Sequence, residues 1–173
     1  MPSLIRRMIA PTLVCGLLAA CTDAPSSVEP SEDRSLIRTL GADGFAALLE
    51  STRGDVVLIN LWATWCAPCL KEIPDLVELE ADLSGRGFRL IGISLDNADA
   101  GEQVRSFRDE YFPEFFTYHV GDDDWYELIN VLAPDWASVL PTVFVIGRNG
   151  ELTETLMGGK DYQTFAETVE PLL

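Results

Sequence analysis

The chain has 173 residues, 47% of them hydrophobic and 23% charged, with 28 acidic side chains against 12 basic ones and a formal net charge of −16. That hydrophobic share excludes a wholly disordered chain, and the length suits one domain able to bury a core without a disulfide scaffold. The acidity argues against nucleic-acid binding, which relies on Lys and Arg neutralising phosphates, and Lys71 and Lys160 are the only lysines.

Residues 1–20 are predicted to be an export signal. Arg6 and Arg7 form a basic start, and Met8–Leu18 is apolar but shorter than the roughly 20 residues that span a bilayer. Leu18-Ala19-Ala20-Cys21 resembles the lipobox of bacterial lipoproteins. That resemblance implies an acylated Cys21 as the mature N-terminus and attachment to a membrane through the lipid; an ordinary signal peptide cleaved after small residues is the alternative. Residues 21–34 are polar, rich in Pro and Ser and aperiodic, and are predicted to be a flexible tether. The folded domain is predicted over 35–173. Its acidity suits a body standing off anionic headgroups, and equally a protein adapted to salt.

Within the domain, Ser35–Leu40 reads as a short edge strand and Gly44–Glu50 as a helix. Asp55–Trp62 is a run of apolar and β-branched residues and is predicted to be a buried central strand. Ala63, Thr64 and Trp65 turn the chain. A helix is predicted from Ala67, with Leu70, Ile73, Leu76, Leu79 and Leu83 as its buried stripe. Pro68 suits the first turn, Pro74 is expected to kink the helix, and Gly85 and Gly87 end it. Phe88–Leu95 is a second central strand and Ala100–Tyr111 a helix. Residues 112–138 are weakly patterned, with turns at Pro113, Asp122–Asp124 and Pro134, a candidate strand at Phe115–Val120 and a short helix at Trp125–Val131. Pro141 opens a strand over 142–147, a permitted place for proline. Arg148-Asn149-Gly150 turns it into a second strand at Glu151–Met157, and Tyr162–Val169 is a last helix. The order implies an α/β domain with a mixed central sheet covered by helices on both faces.

Four cysteines occur, at 15, 21, 66 and 69. Cys15 leaves with the signal and Cys21 is assigned to lipid, so Cys66 and Cys69 remain, spaced C-x-x-C in an exported chain. A zinc site needs about four ligands, and the mature chain offers one such pair and a single histidine. A structural staple closing so short a loop removes little unfolded-state entropy. A redox-active dithiol fits its surroundings best. Cys66 is placed where a buried strand ends and a helix begins, and the free N–H groups and positive dipole end of that helix stabilise a thiolate. Cys66 is therefore the expected nucleophile. Cys69, about one turn on, is the expected resolving thiol.

Asn60-Leu-Trp-Ala-Thr-Trp-Cys66-Ala-Pro-Cys69-Leu-Lys-Glu-Ile-Pro74 resembles the active-site segment of the thioredoxin superfamily. More narrowly, it is similar to the extracytoplasmic thiol–disulfide oxidoreductases of the TlpA/ResA type, which include reductants of cytochrome c maturation. Val139-Leu-Pro141-Thr-Val-Phe-Val-Ile-Gly-Arg-Asn-Gly-Glu resembles that family's cis-proline strand and following hairpin. The resemblance covers about residues 35–173 and implies a thioredoxin-like fold. It implies a cis Pro141 facing Cys66, a Leu140 backbone free to pair with a substrate strand, and Trp65 beside the substrate. It also implies exported client proteins with disulfides, a membrane thiol donor that restores the dithiol, and no metal or organic cofactor. One position departs from thioredoxin itself. Six residues before the first cysteine, where thioredoxin has a buried acid, stands Asn60, which cannot ionise. By resemblance to the TlpA/ResA branch, Glu72 serves the dithiol instead; partial burial would raise its pKa and let it hold a proton near neutrality. A solvated helix residue is the plainer reading of Glu72.

Other residues carry weaker expectations. His119, the only histidine, is expected on a strand edge without a catalytic role. Trp62 is expected in the core, and Trp125 and Trp136 in core packing rather than a partner groove. Asp122–Asp124 reads as a solvated turn or helix cap rather than a cation site. Three rivals to a disulfide reductase stay open: a disulfide oxidase or isomerase, a peroxidase, and a non-catalytic binding lipoprotein. The C-x-x-C interior does not fix redox direction. Peroxiredoxin chemistry would need Thr three residues before the reactive cysteine, where this chain has Ala63.

Overall fold

The computed structural model describes residues 37–120 and 125–173; the signal, the tether with Cys21, and Asp122–Asp124 lie outside the described residues. Five strands are present: β1 (Val56–Trp62), β2 (Phe88–Ser94), β3 (Thr117–His119), β4 (Thr142–Ile146) and β5 (Leu152–Met157). They form one sheet in the order β3-β2-β1-β4-β5. β1 runs parallel to β2, and β2 parallel to β3, whereas β4 is antiparallel to both β1 and β5. The sheet is therefore mixed. β1 lies at its centre, which is why all seven of its residues are buried.

The helices are α1 (Ala42–Ser51), α2 (Ala67–Leu83), α3 (Gly101–Tyr111), α4 (Trp125–Leu132) and α5 (Tyr162–Val169). The pleat of β1 divides the core between them, since successive side chains point to opposite faces. Val56, Leu58 and Trp62 join one apolar cluster with Cys69, Ile73 and Leu76 of α2, Val104 of α3 and Phe165 of α5. Val57, Ile59 and Leu61 join the other with Phe45 of α1 and Leu128 and Ile129 of α4. Asn60 belongs to the even-numbered series, and so its amide faces α2.

Two expectations are corrected. Over the described part of Ser35–Leu40 there is no strand, only an isolated parallel bridge from Thr39 to His119. β3 is itself shorter than Phe115–Val120, and three residues leave little length for a ladder on its outer edge. Two backbone bonds, Leu40 N–H to His119 O and His119 N–H to Arg38 O, hold the segment there at 3.0 Å each. Phe115 is spent on packing instead. It is buried against Trp62, with ring centroids 5.7 Å apart, and lies directly over Gly92 of β2. A Cβ at Gly92 would stand 2.5 Å from Phe115 Cζ, so any larger residue there must displace the Phe115 ring. His119 lies on the edge strand as expected, but it is buried.

Candidate active site

The site grows from the end of β1. After Trp62 the chain turns through Ala63–Trp65, and the Cys66 N–H donates to Ala63 O at 3.0 Å. Cys66 is the N-cap of α2, with Ala67 and Pro68 in the first turn, where the missing proline N–H costs nothing. Cys66 and Cys69 are disulfide-bonded, with Cα atoms 5.3 Å apart. The Cys69 N–H donates to Cys66 Sγ at 3.3 Å. That is the geometry by which a helix N-terminus stabilises a thiolate once the bond is reduced. Cys69 is fully buried and Cys66 nearly so.

Glu72 lies one turn beyond Cys69 on the buried side of α2. Its side chain is 2% exposed, so the solvated reading of this residue does not hold. Oε1 accepts from Asn60 Nδ2 at 2.8 Å, and Oε2 accepts from the Lys160 backbone N–H at 3.1 Å. Desolvation pushes the Glu72 pKa up to about 7, against the lowering pull of those two hydrogen bonds. A carboxyl in this state holds or gives up a proton close to neutral pH.

The Leu140–Pro141 peptide bond is cis. Pro141 is buried at the start of β4, and Leu140 packs against the apolar cluster that contains both cysteines. A short loop joins this strand end to α2. The Gly158 N–H donates to Pro141 O at 2.9 Å. A Cβ on Gly159 would come within 3.7 Å of Pro68 O and 4.0 Å of Glu72 Oε2, and the next residue is Lys160, bonded to Glu72. Gly158 takes a φ of 74°, a conformation that favours glycine. Reading the sequence missed this loop. The Gly-Gly pair after β5 was its one local sign, and its function appears only once the chain has folded back across the sheet.

Trp65 is 70% exposed beside Cys66, a large apolar surface next to the dithiol. Val139 is also exposed, just before Leu140. Trp62 is core, as expected. Trp136 is half-buried, packs edge-on to Phe144, and donates from Nε1 to Thr142 Oγ1 at 3.0 Å. Among the described residues, no three or more His, Cys, Asp or Glu side chains gather as a metal site, and no helix is long and apolar enough to cross a membrane.

Comparison with known proteins agrees with this geometry. The AhpC/TSA family matches residues 38–155. The thiol-disulfide oxidoreductase ResA of Oceanobacillus iheyensis is 32% identical over 110 residues, which cover 64% of this chain and 53% of that protein. The ResA of Geobacillus kaustophilus is 30% identical over 128 residues, covering 71% of this chain and 68% of that one. A crystal structure of a thiol:disulfide interchange protein of the thioredoxin family from Chlorobium tepidum superposes with a TM-score of 0.61 at 25% identity, over 71% of this chain and 83% of that one. The chain thus spans only a little over half the length of the first of these relatives. With the mixed sheet, the C-x-x-C at the head of α2 and the cis proline just before β4, the chain belongs to the AhpC/TSA family, in its thioredoxin-like form, and is similar to the thiol–disulfide oxidoreductases named ResA.

Proposed function

We propose that this protein is a thiol–disulfide oxidoreductase that reduces disulfides in exported proteins. The observation that carries the reading is the Cys66–Cys69 pair at the N-terminus of α2 with the buried carboxyl of Glu72 one turn behind it. In the reduced protein the Cys66 thiolate attacks one sulfur of a client disulfide. A mixed disulfide forms and the other client sulfur leaves as a thiolate. Glu72, ionised for part of the time at neutral pH, takes the proton of Cys69. The Cys69 thiolate then attacks Cys66 Sγ, closing the internal disulfide and releasing the second client thiolate. Two electrons pass to the client, and the two thiolates it gains are protonated from Glu72 and solvent. A thiol donor at the membrane returns the Cys66–Cys69 pair to the dithiol by the same exchange in reverse.

Exposed Trp65 and the Leu140 backbone are the surfaces offered to the client chain. Attachment through a lipid on Cys21, with the domain outside the cytoplasm, follows from the lipobox-like Leu18–Cys21 and belongs to the same proposal. Apocytochrome c is one client class consistent with the TlpA/ResA resemblance. The deciding measurement is the reduction potential of the pair in the full chain. A value near or below about −250 mV supports a reductant, and one near about −120 mV makes the protein an oxidant instead. Anchoring is checked by metabolic labelling with a fatty acid, which Cys21→Ser should abolish.

A further inference from the structure

A second buried polar cluster lies on the other side of the active-site turn. Asp96, just past the end of β2, is 7% exposed. Its Oδ1 accepts from Thr64 Oγ1 at 2.6 Å, and its Oδ2 accepts from the Thr64 backbone N–H at 3.0 Å. Ser94 Oγ also donates to Oδ2, at 2.8 Å, and stands 3.4 Å from His119 Nδ1. One residue earlier, the Leu95 N–H donates to Trp62 O at 2.9 Å. The segment from Ser94 to Asp96 therefore grips the turn between β1 and α2 from the side, and Asp96 holds both donors of Thr64.

Thr64 is two residues from Cys66. A buried carboxyl group needs hydrogen-bond partners for its oxygens, and those that Asp96 collects here converge on one short turn. That turn sets where Cys66 Sγ lies relative to the N–H groups of α2. Ser94 is fully buried, so this Asp–Ser–His series has no access to a substrate and is not a hydrolytic site.

We infer that Asp96 is a positioning residue for the nucleophile: by clamping Thr64 it fixes the Ala63–Trp65 turn and holds Cys66 at the head of α2. The inference builds on the oxidoreductase reading, but its primary test does not depend on that reading. In Asp96→Asn the amide oxygen still accepts from Thr64 N–H and Ser94 Oγ, while its NH2 donates to Thr64 Oγ1, so the clamp survives without the charge. In Asp96→Ala the clamp is gone.

The test uses the reduced full chain and the rate of Cys66 alkylation by iodoacetamide as a function of pH, with the circular dichroism melt as a control of folding. Asp96→Ala is expected to slow alkylation at pH 7 on the order of tenfold and to raise the midpoint of its pH profile, while Asp96→Asn stays close to the wild type. Equal profiles for Asp96→Ala and wild type overturn the inference. Equal changes in Asp96→Ala and Asp96→Asn also overturn it, because the charge and not the clamp would then be acting. If Asp96→Ala does not fold, Thr64→Val, which loses the 2.6 Å bond and keeps the backbone one, is expected to shift the profile in the same direction by less. An unshifted Thr64→Val profile then overturns the inference. Insulin-disulfide reduction by the wild type separates the two readings: no turnover there refutes the proposed activity and leaves the alkylation result to decide the role of Asp96.

Discussion

Asn60 Nδ2 donates to Glu72 Oε1 across 2.8 Å, and both side chains are buried between β1 and α2. An amide is a partner for either protonation state of the acid. Ionised Glu72 accepts from Nδ2. Protonated Glu72 can donate to Oδ1 once the amide turns over, and Oδ1 is the atom of Asn60 that has no other hydrogen-bond partner. A second acid at position 60 would repel an ionised Glu72, whereas asparagine lets Glu72 titrate alone.

Glu72 should make stability depend on pH in a way that Glu72→Gln removes. The carboxyl titrates at 4.5 ordinarily and at about 7 in the fold, so between those values the folded state binds more protons than the unfolded one. Its contribution to stability is therefore greatest below pH 4.5 and falls as pH rises through 7. The loss is on the order of 3 kcal/mol in full. Relative to wild type, Glu72→Gln is expected to gain about 2–3 kcal/mol between pH 5 and pH 8, measured by urea unfolding of the oxidised protein. Parallel pH curves for the two proteins would refute the burial-driven shift.

Asn60→Leu should move Glu72 further in the same direction. The variant keeps the branched shape, though not the volume, of the side chain and removes the Nδ2 donor, one of the two hydrogen bonds that pull the Glu72 pKa down. A hydrogen bond to a charged group contributes roughly 1.5–3 kcal/mol, which corresponds to a midpoint about one pH unit higher or more. Carboxyl 13C chemical shifts of labelled glutamate, followed against pH, report it directly. A Glu72 midpoint that stays near 7 would show that the amide does not tune the acid.

Much of this site was legible because its parts are local. The β-branched run at 56–62, the C-x-x-C at its end and the apolar stripe of α2 lie within one short stretch, and their periodicities place Cys66 at a helix start and Glu72 beside the buried Ile73. The rest depended on contacts between distant parts of the chain. Lys160 meets Glu72 through a backbone N–H, a group every residue but proline carries, so no side-chain pattern marks it. Asp96 reads as one more acid in an acidic chain until the strand register sets β2 beside β1 and brings it to Thr64. Over the described part of the strand expected at 35–40 only a bridge forms, for a related reason: β propensity alone does not supply a partner edge.

Cys66→Ser and Cys69→Ser should fail in different ways. If Cys66 is the nucleophile, Cys66→Ser loses all disulfide reduction, because Cys69 is fully buried and no client sulfur reaches it. Cys69→Ser keeps the attack but cannot resolve it, so a mixed disulfide through Cys66 accumulates with a model substrate such as oxidised glutathione. Intact-mass spectrometry under non-reducing conditions distinguishes the two. Accumulation in Cys66→Ser rather than in Cys69→Ser would reverse the assignment. Unchanged biological function in both variants would favour a binding protein with an idle pair.

Gly92→Ala tests the packing that supports the site. Gly92 sits in β2 beneath Phe115, and an added Cβ would meet Phe115 Cζ at 2.5 Å, Cε1 at 2.8 Å and Thr117 Oγ1 at 2.8 Å. Phe115 is fully buried and lies edge-on to Trp62, the last residue of β1 before the active-site turn. The ring is fully buried, so the methyl group must displace β3, Phe115 or Trp62. Overpacking of this kind costs about 1–3 kcal/mol. Thr117 Oγ1 also accepts from Trp62 Nε1 at 2.8 Å, so the strain reaches that bond as well. Chemical denaturation of Gly92→Ala is expected to show that loss, together with a blue or red shift of tryptophan fluorescence as Trp62 moves. A variant as stable as wild type would mean that β3 and its aromatic layer yield freely, and that Trp62 is not held in place by them.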